Sequence, residues 1–299
     1  FGMPNVTATL LELIALFFLI RGLQTKRRML FLWAGIATGL GLYSYTAFRL
    51  IPFVMAFLAV YWLVAERDYL GTHIQNLVVF GLMTAIVAAP LGIYALQHAT
   101  EFGRRTQETS VFARLNTDAA KQKALDNSLR RHLLMFNYQG DPNGRHGLPG
   151  APMLDFASGA LLVLGLGYSL YHWRRWPHFL GVSWLFIAML AGILSLDWEA
   201  PQGARTVVAI PALFVLAAIP VGKVWASATQ LPSRVWKVAA VALVVGLLAY
   251  IAQANYIMYF EKQMKSNEVW VSFSSRETVM ARYINKLGDG YRIYFQNPN

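Results

Sequence analysis

The fold is decided in residues 30–65, which read LFLWAGIATGLGLYSYTAFRLIPFVMAFLAVYWLVA. A single charged side chain, that of Arg49, interrupts this apolar stretch. About 20 consecutive apolar residues let a helix cross the hydrocarbon core of a bilayer. The stretch therefore predicts two membrane-spanning helices, joined with almost no loop at the turn from Tyr43 to Arg49.

The same apolar pattern recurs along the whole chain of 299 residues. Charged residues make up only 14% of the sequence, well below the roughly 25% that is usual in soluble domains. We predict eight spans, near residues 6–21, 29–45, 48–65, 74–97, 157–172, 179–196, 205–222 and 236–258. The fold class is therefore predicted to be an all-α polytopic membrane protein.

The composition also narrows the possible partners. The chain carries 26 Lys and Arg residues against 15 Asp and Glu, a net charge of +11, and it has no cysteine. The lack of cysteine excludes disulfides and thiolate-bound metals. A basic balance can indicate nucleic-acid binding, but cations beside membrane helices also set orientation and meet anionic lipid heads. We therefore predict membrane lipids, and no nucleic acid, as partners.

Three short loops are rich in Lys and Arg and fall on one side if the eight spans alternate. These loops are residues 21–28, 173–178 and 222–237. Cytoplasmic loops of membrane proteins are enriched in Lys and Arg, so this side is predicted to be cytoplasmic. The opposite side then receives the turns 45–49 and 197–204, the long segment 98–156 and the C-terminal tail.

The segment 98–156 is the one long interruption between predicted spans. Leucines at helical spacing in residues 111–136 predict an amphipathic helix that lies along the membrane interface. Residues 140–150, GDPNGRHGLPG, are dense in turn-forming residues. A Gly- and Pro-rich loop with a charged centre indicates a binding loop.

The tail after residue 258 changes character. It predicts a short helix from Ser274 to just before Gly288 and a strand over residues 291–295. We therefore predict a transmembrane domain over residues 1–258 and the start of a small α/β soluble domain over residues 259–299. Since the chain starts at Phe1 and stops just after the strand-like run, we expect it to be a fragment.

Arg49, with Tyr43 and Tyr45 beside it, is the first candidate binding group. A guanidinium at the level of the lipid head groups can hold a phosphate through two parallel hydrogen bonds. The alternative is an arginine that only extends its charge to the interface. The sequence leaves these two interpretations open.

The turn of residues 197–205 is the second candidate, with Glu199 and Arg205 at the mouth of a span. It either binds substrate or forms an interfacial ion pair that anchors the helix. Two arginine-bearing turns on the same predicted side favour binding.

The loop of residues 140–150 is the third candidate, through Arg145 and His146. A histidine there can hydrogen-bond a sugar or a phosphate, or carry a proton. Asp141 and Asn143 are expected instead to stabilise the turn itself, because Asp and Asn side chains bond to their own backbone.

Three motifs, in this order, resemble bacterial membrane glycosyltransferases of the GT-C type. These are relatives of the protein mannosyltransferases (glycosyltransferase family 39) and of the aminoarabinose lipid A transferases. The motifs are GLGLYSYTAFRLIP at residues 39–52, GDPNGRHGLPGAPML at 140–154 and ARTVVAIPAL at 204–213. The resemblance covers most of residues 1–258.

The resemblance implies transfer of a sugar from a polyprenyl-phosphate donor to an acceptor, at the extracytoplasmic face of the bacterial inner membrane. It implies an inverting displacement in which a carboxylate activates the acceptor hydroxyl and cations stabilise the leaving phosphate. Arg49 and Arg205 are the expected cations, and Tyr43 and Tyr45 are expected to contact the phosphate or the sugar.

The family's catalytic acid lies in the loop after its first span, and the sequence has no matching loop. We therefore expect the catalytic residue to precede Phe1. No cofactor is predicted, and whether a divalent metal takes part stays open.

Two other functions share these features. A transporter or flippase of lipid-linked sugars would also have apolar spans and a basic outer rim, but it would carry charges inside several spans. A non-catalytic membrane scaffold subunit would look like a transferase without its catalytic loop. Glu12 is the one carboxylate within the predicted first span.

Overall fold

In a computed structural model, the chain is described over residues 4–113, 115–230, 233–287 and 290–294, without the side chain of Arg105. The helices are α1 (Pro4–Thr25), α2 (Arg28–Gly41), α3 (Ile51–Ala65), α4 (Arg67–Gln97), α5 (Ala99–Glu108), α6 (Asp118–Leu134), α7 (Phe156–Tyr171), α8 (Trp176–Ile193), α9 (Ile210–Thr229), α10 (Arg234–Tyr256), α11 (Asn267–Ser272) and α12 (Ser275–Leu287). Short 3₁₀ helices span Thr46–Leu50, Asp197–Glu199 and Val207–Ala209, and a π-helical stretch spans Ile257–Gln263. Over the described ranges, all regular secondary structure is helical.

Within the described residues, six helical stretches are long and apolar enough to cross a membrane. They are Pro4–Thr25, Thr46–Ala65, Arg67–Gln97, Trp176–Ile193, Val207–Thr229 and Arg234–Gln263. The helices α2 and α7 are also apolar but shorter. Together these eight segments match the eight predicted spans, so the all-α polytopic fold class is confirmed.

Two predicted boundaries were wrong. Helix α4 begins at Arg67, so the polar residues 67–73 form its first turns and not a loop. Helix α9 begins at Ile210, where Pro211 occupies a first-turn position that suits its missing N–H, and it continues to Thr229. Arg205 consequently lies in the turn before this helix, and Lys223 lies within the helix.

Close helix contacts at glycines build the two halves of the bundle. A Cβ atom on Gly35 of α2 would lie 2.5 Å from the carbonyl oxygen of Phe80 in α4. A Cβ atom on Gly165 of α7 would lie 1.9 Å from the carbonyl oxygen of Leu216 in α9. Small residues at such contacts let membrane helices approach each other closely.

Helices α3 and α8 join these halves through the buried core. Ile51 and Val54 of α3 and Ala188 of α8 are fully buried there. The rings of Tyr61 and Phe179 stack with their centres 4.4 Å apart.

The turns between the helices lie at two opposite ends of the bundle, as the hydrogen bonds between them show. At the first end, the Asn76 side chain donates to the Lys26 carbonyl (3.4 Å), and the Tyr61 hydroxyl donates to the Arg174 carbonyl. We call this the basic end. At the opposite end, which we call the loop end, the backbone N–H of Val111 donates to the Leu194 carbonyl at 2.8 Å.

Helix α6 lies within residues 111–136, where the sequence predicts an amphipathic helix, but the face that it buries against the protein is not the leucine stripe. Ala124, Ser128 and His132 are its buried residues. Leu129 and Leu133 are exposed, on a face that is open to the surroundings of the bundle. The helix is held by polar bonds on its protein side, since the Ser128 hydroxyl donates to the Ile193 carbonyl at 2.7 Å.

The described part of the C-terminal tail is mostly helical as far as Leu287. Helix α12 begins directly after Ser274 and ends at Leu287, as predicted. Residues 291–294 carry no strand, and Phe295 lies outside the described residues. A strand needs neighbouring strands to pair with, and the described chain supplies none. The predicted α/β character of this tail is therefore not observed.

Candidate functional site

Asp141 joins the second and third candidate groups at the loop end. Its Oδ2 atom accepts from the Gly203 backbone N–H at 2.6 Å and from the His146 Nδ1–H at 2.7 Å. Its Oδ1 atom accepts from the Asn143 N–H at 2.7 Å, which is the local turn that the sequence predicts. The carboxyl group is almost fully buried. One aspartate thus holds the loop of residues 140–150 against the turn of residues 197–205.

His146 is oriented by this carboxylate. Because a carboxylate only accepts hydrogen bonds, Nδ1 is the donor in this bond, and Nε2 takes no part in it. About a quarter of the side chain (23%) is exposed. His146 can therefore offer Nε2 as a hydrogen-bond acceptor or proton acceptor at the surface of the loop end.

A second histidine, His132, is buried and supports the same turn, and the sequence analysis did not identify it. His132 of α6 accepts from the Gln202 N–H through Nε2 at 3.0 Å and bonds to the Ser128 carbonyl through Nδ1 at 2.8 Å. Burial lowers the pKa of His132, although the bond to Ser128 and the charge of Asp141 oppose the shift. The i, i+4 spacing of Ser128 and His132 is the only sequence signal of this arrangement.

Arg145 points away from the loop toward the C-terminal tail. Its Nε donates to the carbonyl of Ser272, the last residue of α11, at 2.6 Å. Helix α11 also lies against Gly144, where a Cβ atom would be 2.6 Å from the Ser272 hydroxyl. The Nε of Arg145 is therefore used in a hydrogen bond that connects the loop of residues 140–150 with the C-terminal tail.

Glu199 and Arg205 are not paired with each other in an ion pair. Glu199 accepts a hydrogen bond from the Gln202 side-chain amide. Arg205 is half-buried, and no described residue forms a hydrogen bond or ion pair with its guanidinium. The predicted alternative of an anchoring ion pair within this turn is thus not observed.

Arg49 is also without a polar partner among the described residues. Its guanidinium lies over the ring of Phe102 in α5, with the Cζ atom 4.2 Å from the ring centre. Its Nε is buried and makes no hydrogen bond with any described residue. A buried N–H donor without a partner is costly, so this geometry is suited to an anionic ligand that would satisfy it.

An apolar groove begins three residues after Arg49 in the chain, at Pro52. It has a volume of about 370 Å³ and lies between α1, α2, α3 and α4. Pro52 lines its end toward Arg49, and Leu77 and Trp62 line its other end. The only hydroxyls in its wall, those of Thr38 and Thr84, donate to carbonyls of their own helices at 2.9 Å. The groove therefore offers an apolar wall along most of its length.

Arg49 and the groove are neighbours along the chain. Pro52, the groove residue nearest to Arg49 in the sequence, follows it by three residues in the first turn of α3. A molecule with an apolar chain in the groove would thus bring its head group to the guanidinium.

Tyr43 and Tyr45 have different roles in the fold. The Tyr43 hydroxyl donates to the Val87 carbonyl (2.9 Å) and accepts from the Leu91 N–H (3.3 Å), beside Pro90 within α4. Proline disturbs the backbone hydrogen bonds of a helix, and a side chain can replace them. The Tyr45 ring packs against the core, and its carbonyl accepts from the Phe48 N–H. Phosphate contacts by these two tyrosines stay a prediction.

The structure brings together the loop around His146 and the turn around Arg205, and it leaves Arg49 at a separate turn. The 3₁₀ helix that contains Arg49 and the one that follows Arg205 both pack against α1 and α8. Among the described residues, no group of three or more His, Asp or Glu side chains is arranged to hold a metal ion.

Comparison of the chain with known protein families, with curated proteins and with solved structures gives no match. The functional argument therefore depends on the chain's own geometry.

Proposed function

We propose that this protein transfers a sugar from a polyprenyl-phosphate donor to an acceptor at the extracytoplasmic face of the bacterial inner membrane. In this proposal the loop end is the extracytoplasmic end and the basic end is cytoplasmic. The segments 21–28 and 173–178 at the basic end carry the cations that the positive-inside rule expects there.

The proposal depends on the Arg49 Nε, which has no hydrogen-bond partner among the described residues, and on the apolar groove that begins three residues further along the chain. A polyprenyl phosphate combines a long apolar chain with an anionic head, and the groove and Arg49 match these two parts in order. A guanidinium binds phosphate oxygens through charge-assisted hydrogen bonds. The Phe102 ring limits solvent access to one side of Arg49, which strengthens such a bond.

Arg49 would act on the leaving group. In the displacement, the acceptor oxygen bonds to the anomeric carbon as the bond from that carbon to the phosphate oxygen breaks. The electron pair of the broken bond stays on the phosphate, whose growing negative charge the guanidinium stabilises. The proton of the acceptor hydroxyl goes to a carboxylate that acts as the general base.

A flippase for lipid-linked sugars is the second candidate function, because it would also use the groove. Glu12 favours it, since this carboxylate is fully buried within α1. Its Oε1 accepts from the Trp184 indole N–H at 2.5 Å, and its Oε2 has no partner among the described residues. Ionisable groups within membrane spans often mark transport paths. Glu12 lacks a charged partner among the described residues, which weakens this alternative.

The test measures binding of polyprenyl phosphate and of the uncharged polyprenol of the same length to the protein in lipid nanodiscs. We expect Arg49→Ala to weaken polyprenyl-phosphate binding by about 10- to 100-fold, which corresponds to about 1.5–3 kcal/mol for hydrogen bonds to a charged group. Polyprenol binding should stay unchanged. Arg49→Lys should recover part of the affinity, because it keeps the charge without the bidentate geometry.

Arg130→Ala is the matched control, since Arg130 is an exposed arginine of α6 at the same end. Equal affinity of the Arg49→Ala variant and the unchanged protein for polyprenyl phosphate would contradict the proposal. Transfer and flipping are separated by a donor with a non-hydrolysable bond between sugar and phosphate. A flippase moves this donor across the membrane, and a transferase leaves it in its leaflet without forming product.

A further inference from the structure

A second cavity lies at the loop end, between the start of α7 and the end of α10. It has a volume of about 450 Å³, within the range of about 300–1,000 Å³ typical of small-molecule sites. One wall is the segment of residues 152–156, and the other is formed by residues 250–262 of α10 and the π-helical stretch. Single π-helical turns occur preferentially at functional sites.

Fixed contacts hold the first wall in place. The backbone N–H of Met153 donates to the Met135 carbonyl at 3.0 Å, and that of Leu154 donates to the Phe136 carbonyl at 3.1 Å. The Met153 side chain also reaches Gly203, where an added Cβ atom would lie 2.5 Å from it. The cavity therefore adjoins the turn that carries Arg205.

A carboxylate and an amide connect the two walls. Asp155 accepts from the backbone N–H groups of Ala157 and Ser158, each at 3.0 Å, and from the Asn255 side chain at 3.0 Å. Burial raises the pKa of Asp155, but these hydrogen bonds outweigh it and keep the pKa below the usual 3.8. Asp155 is thus an anion, and three hydrogen bonds from the protein already occupy its carboxylate oxygens.

The other polar groups of the cavity remain available. The Gln253 amide, the Tyr250 hydroxyl and the Lys262 ammonium make no side-chain hydrogen bond with any residue that the structure describes. One cation and one anion balance the charge of the lining, so an anionic head group such as a phosphate finds no excess of positive charge. The amide and the phenol each donate and accept, as the hydroxyl groups of a sugar also do. The remaining wall is apolar, with Phe156, Ile257 and Met258.

We propose that this cavity binds the uncharged saccharide head of an amphipathic molecule, with Gln253 and Lys262 bonding to its hydroxyls and Tyr250 against the ring. The apolar wall would contact the lipid part. The identification of this molecule as the acceptor rests on the proposed transferase function. The saccharide preference of the cavity does not.

The test uses octyl glucoside as the saccharide probe and octylphosphocholine as the probe with the same chain and a charged head. Binding of each is measured by native mass spectrometry on the full chain in phosphatidylcholine nanodiscs. Ala254→Trp fills the cavity, and Ala252→Trp puts the same bulk on an exposed position of α10 that does not line it. We expect Ala254→Trp to lower octyl glucoside binding at least tenfold and Ala252→Trp to leave it unchanged.

Gln253→Leu is a second variant that keeps the test valid if Ala254→Trp fails to fold. It removes the free amide at an exposed position and should weaken octyl glucoside binding several-fold. The proposal is overturned if Gln253→Leu binds octyl glucoside like the unchanged protein, or if octylphosphocholine binds as tightly. Arg49→Ala should leave octyl glucoside binding intact. Failure of the proposed transferase function, which is tested at Arg49, can therefore be distinguished from failure of the saccharide site, which is tested at Gln253 and Ala254.

Discussion

At the scale of single residues, the polar side chains of the loop end divide into those that build the site and those that are free to bind. Asp141 and His132 are buried and bonded to the turn of residues 197–205, and neither has a free position for a ligand. Arg49 and Arg205 are half-buried and lack hydrogen-bonding partners among the described residues. Only the second pair is prepared to bind an anion, since its donors are not yet used.

His132 makes the loop end sensitive to acid. Its folded-state pKa is lowered, so the unfolded state takes up a proton first as the pH falls through the usual 6.5. The stabilising contribution is complete above that value and is lost below it. We expect the melting temperature to fall from about pH 7.5 to about pH 5.5, and His132→Gln to reduce this fall, because Gln does not titrate there. A variant with the same pH dependence as the unchanged protein would contradict this role.

At the scale of helices, the contact between α7 and α9 depends on the absence of a side chain at Gly165. We expect Gly165→Ala to lower the free energy of unfolding by about 1–3 kcal/mol, because the methyl group cannot fit beside the Leu216 carbonyl. Gly167→Ala is the matched control in the same helix, since its Cβ would meet nothing within 4 Å. Thermal unfolding in detergent compares the two. A Gly167→Ala variant that is destabilised as much as Gly165→Ala would show that the effect is not contact-specific.

Tyr43 is predicted from the sequence as a ligand-binding residue, but in the structure its hydroxyl is hydrogen-bonded to the backbone of helix α4. Pro90 lies within this helix, and the Tyr43 hydroxyl bonds to the backbone on either side of it. The sequence places Tyr43 and Arg49 in one turn, which favours a shared ligand. The proline lies more than 40 residues further along the chain, so no local pattern connects it with Tyr43.

At the scale of the whole molecule, the orientation in the membrane can be tested directly because the chain has no cysteine. Single cysteines are introduced by Asp126→Cys at the loop end and by Arg174→Cys at the basic end, both at exposed positions. We expect a membrane-impermeant maleimide to label Asp126→Cys in intact spheroplasts and Arg174→Cys only after permeabilisation. The reverse pattern would invert the proposed topology, and labelling of both from one side would contradict the number of spans.

Most of the membrane-domain architecture could be predicted because hydrophobicity is a local property. A run of apolar residues that matches the bilayer thickness becomes a helix whatever its neighbours are, since every backbone group must be bonded within lipid. The tail was predicted less well. Residues 291–294 have the composition of a strand, but strand formation depends on a partner that composition does not supply.

The sequence by itself determined where most of the helices lie, because the apolar runs are local features of the chain. Only the tertiary structure decided which of the candidate side chains are engaged. Asp141 meets Gly203 across 62 residues and His132 meets Gln202 across 70, in both cases through a backbone N–H. Every residue except proline has such an N–H, so no residue type marks these partners in advance. The free guanidinium of Arg49 at the apolar groove likewise follows from how four helices pack.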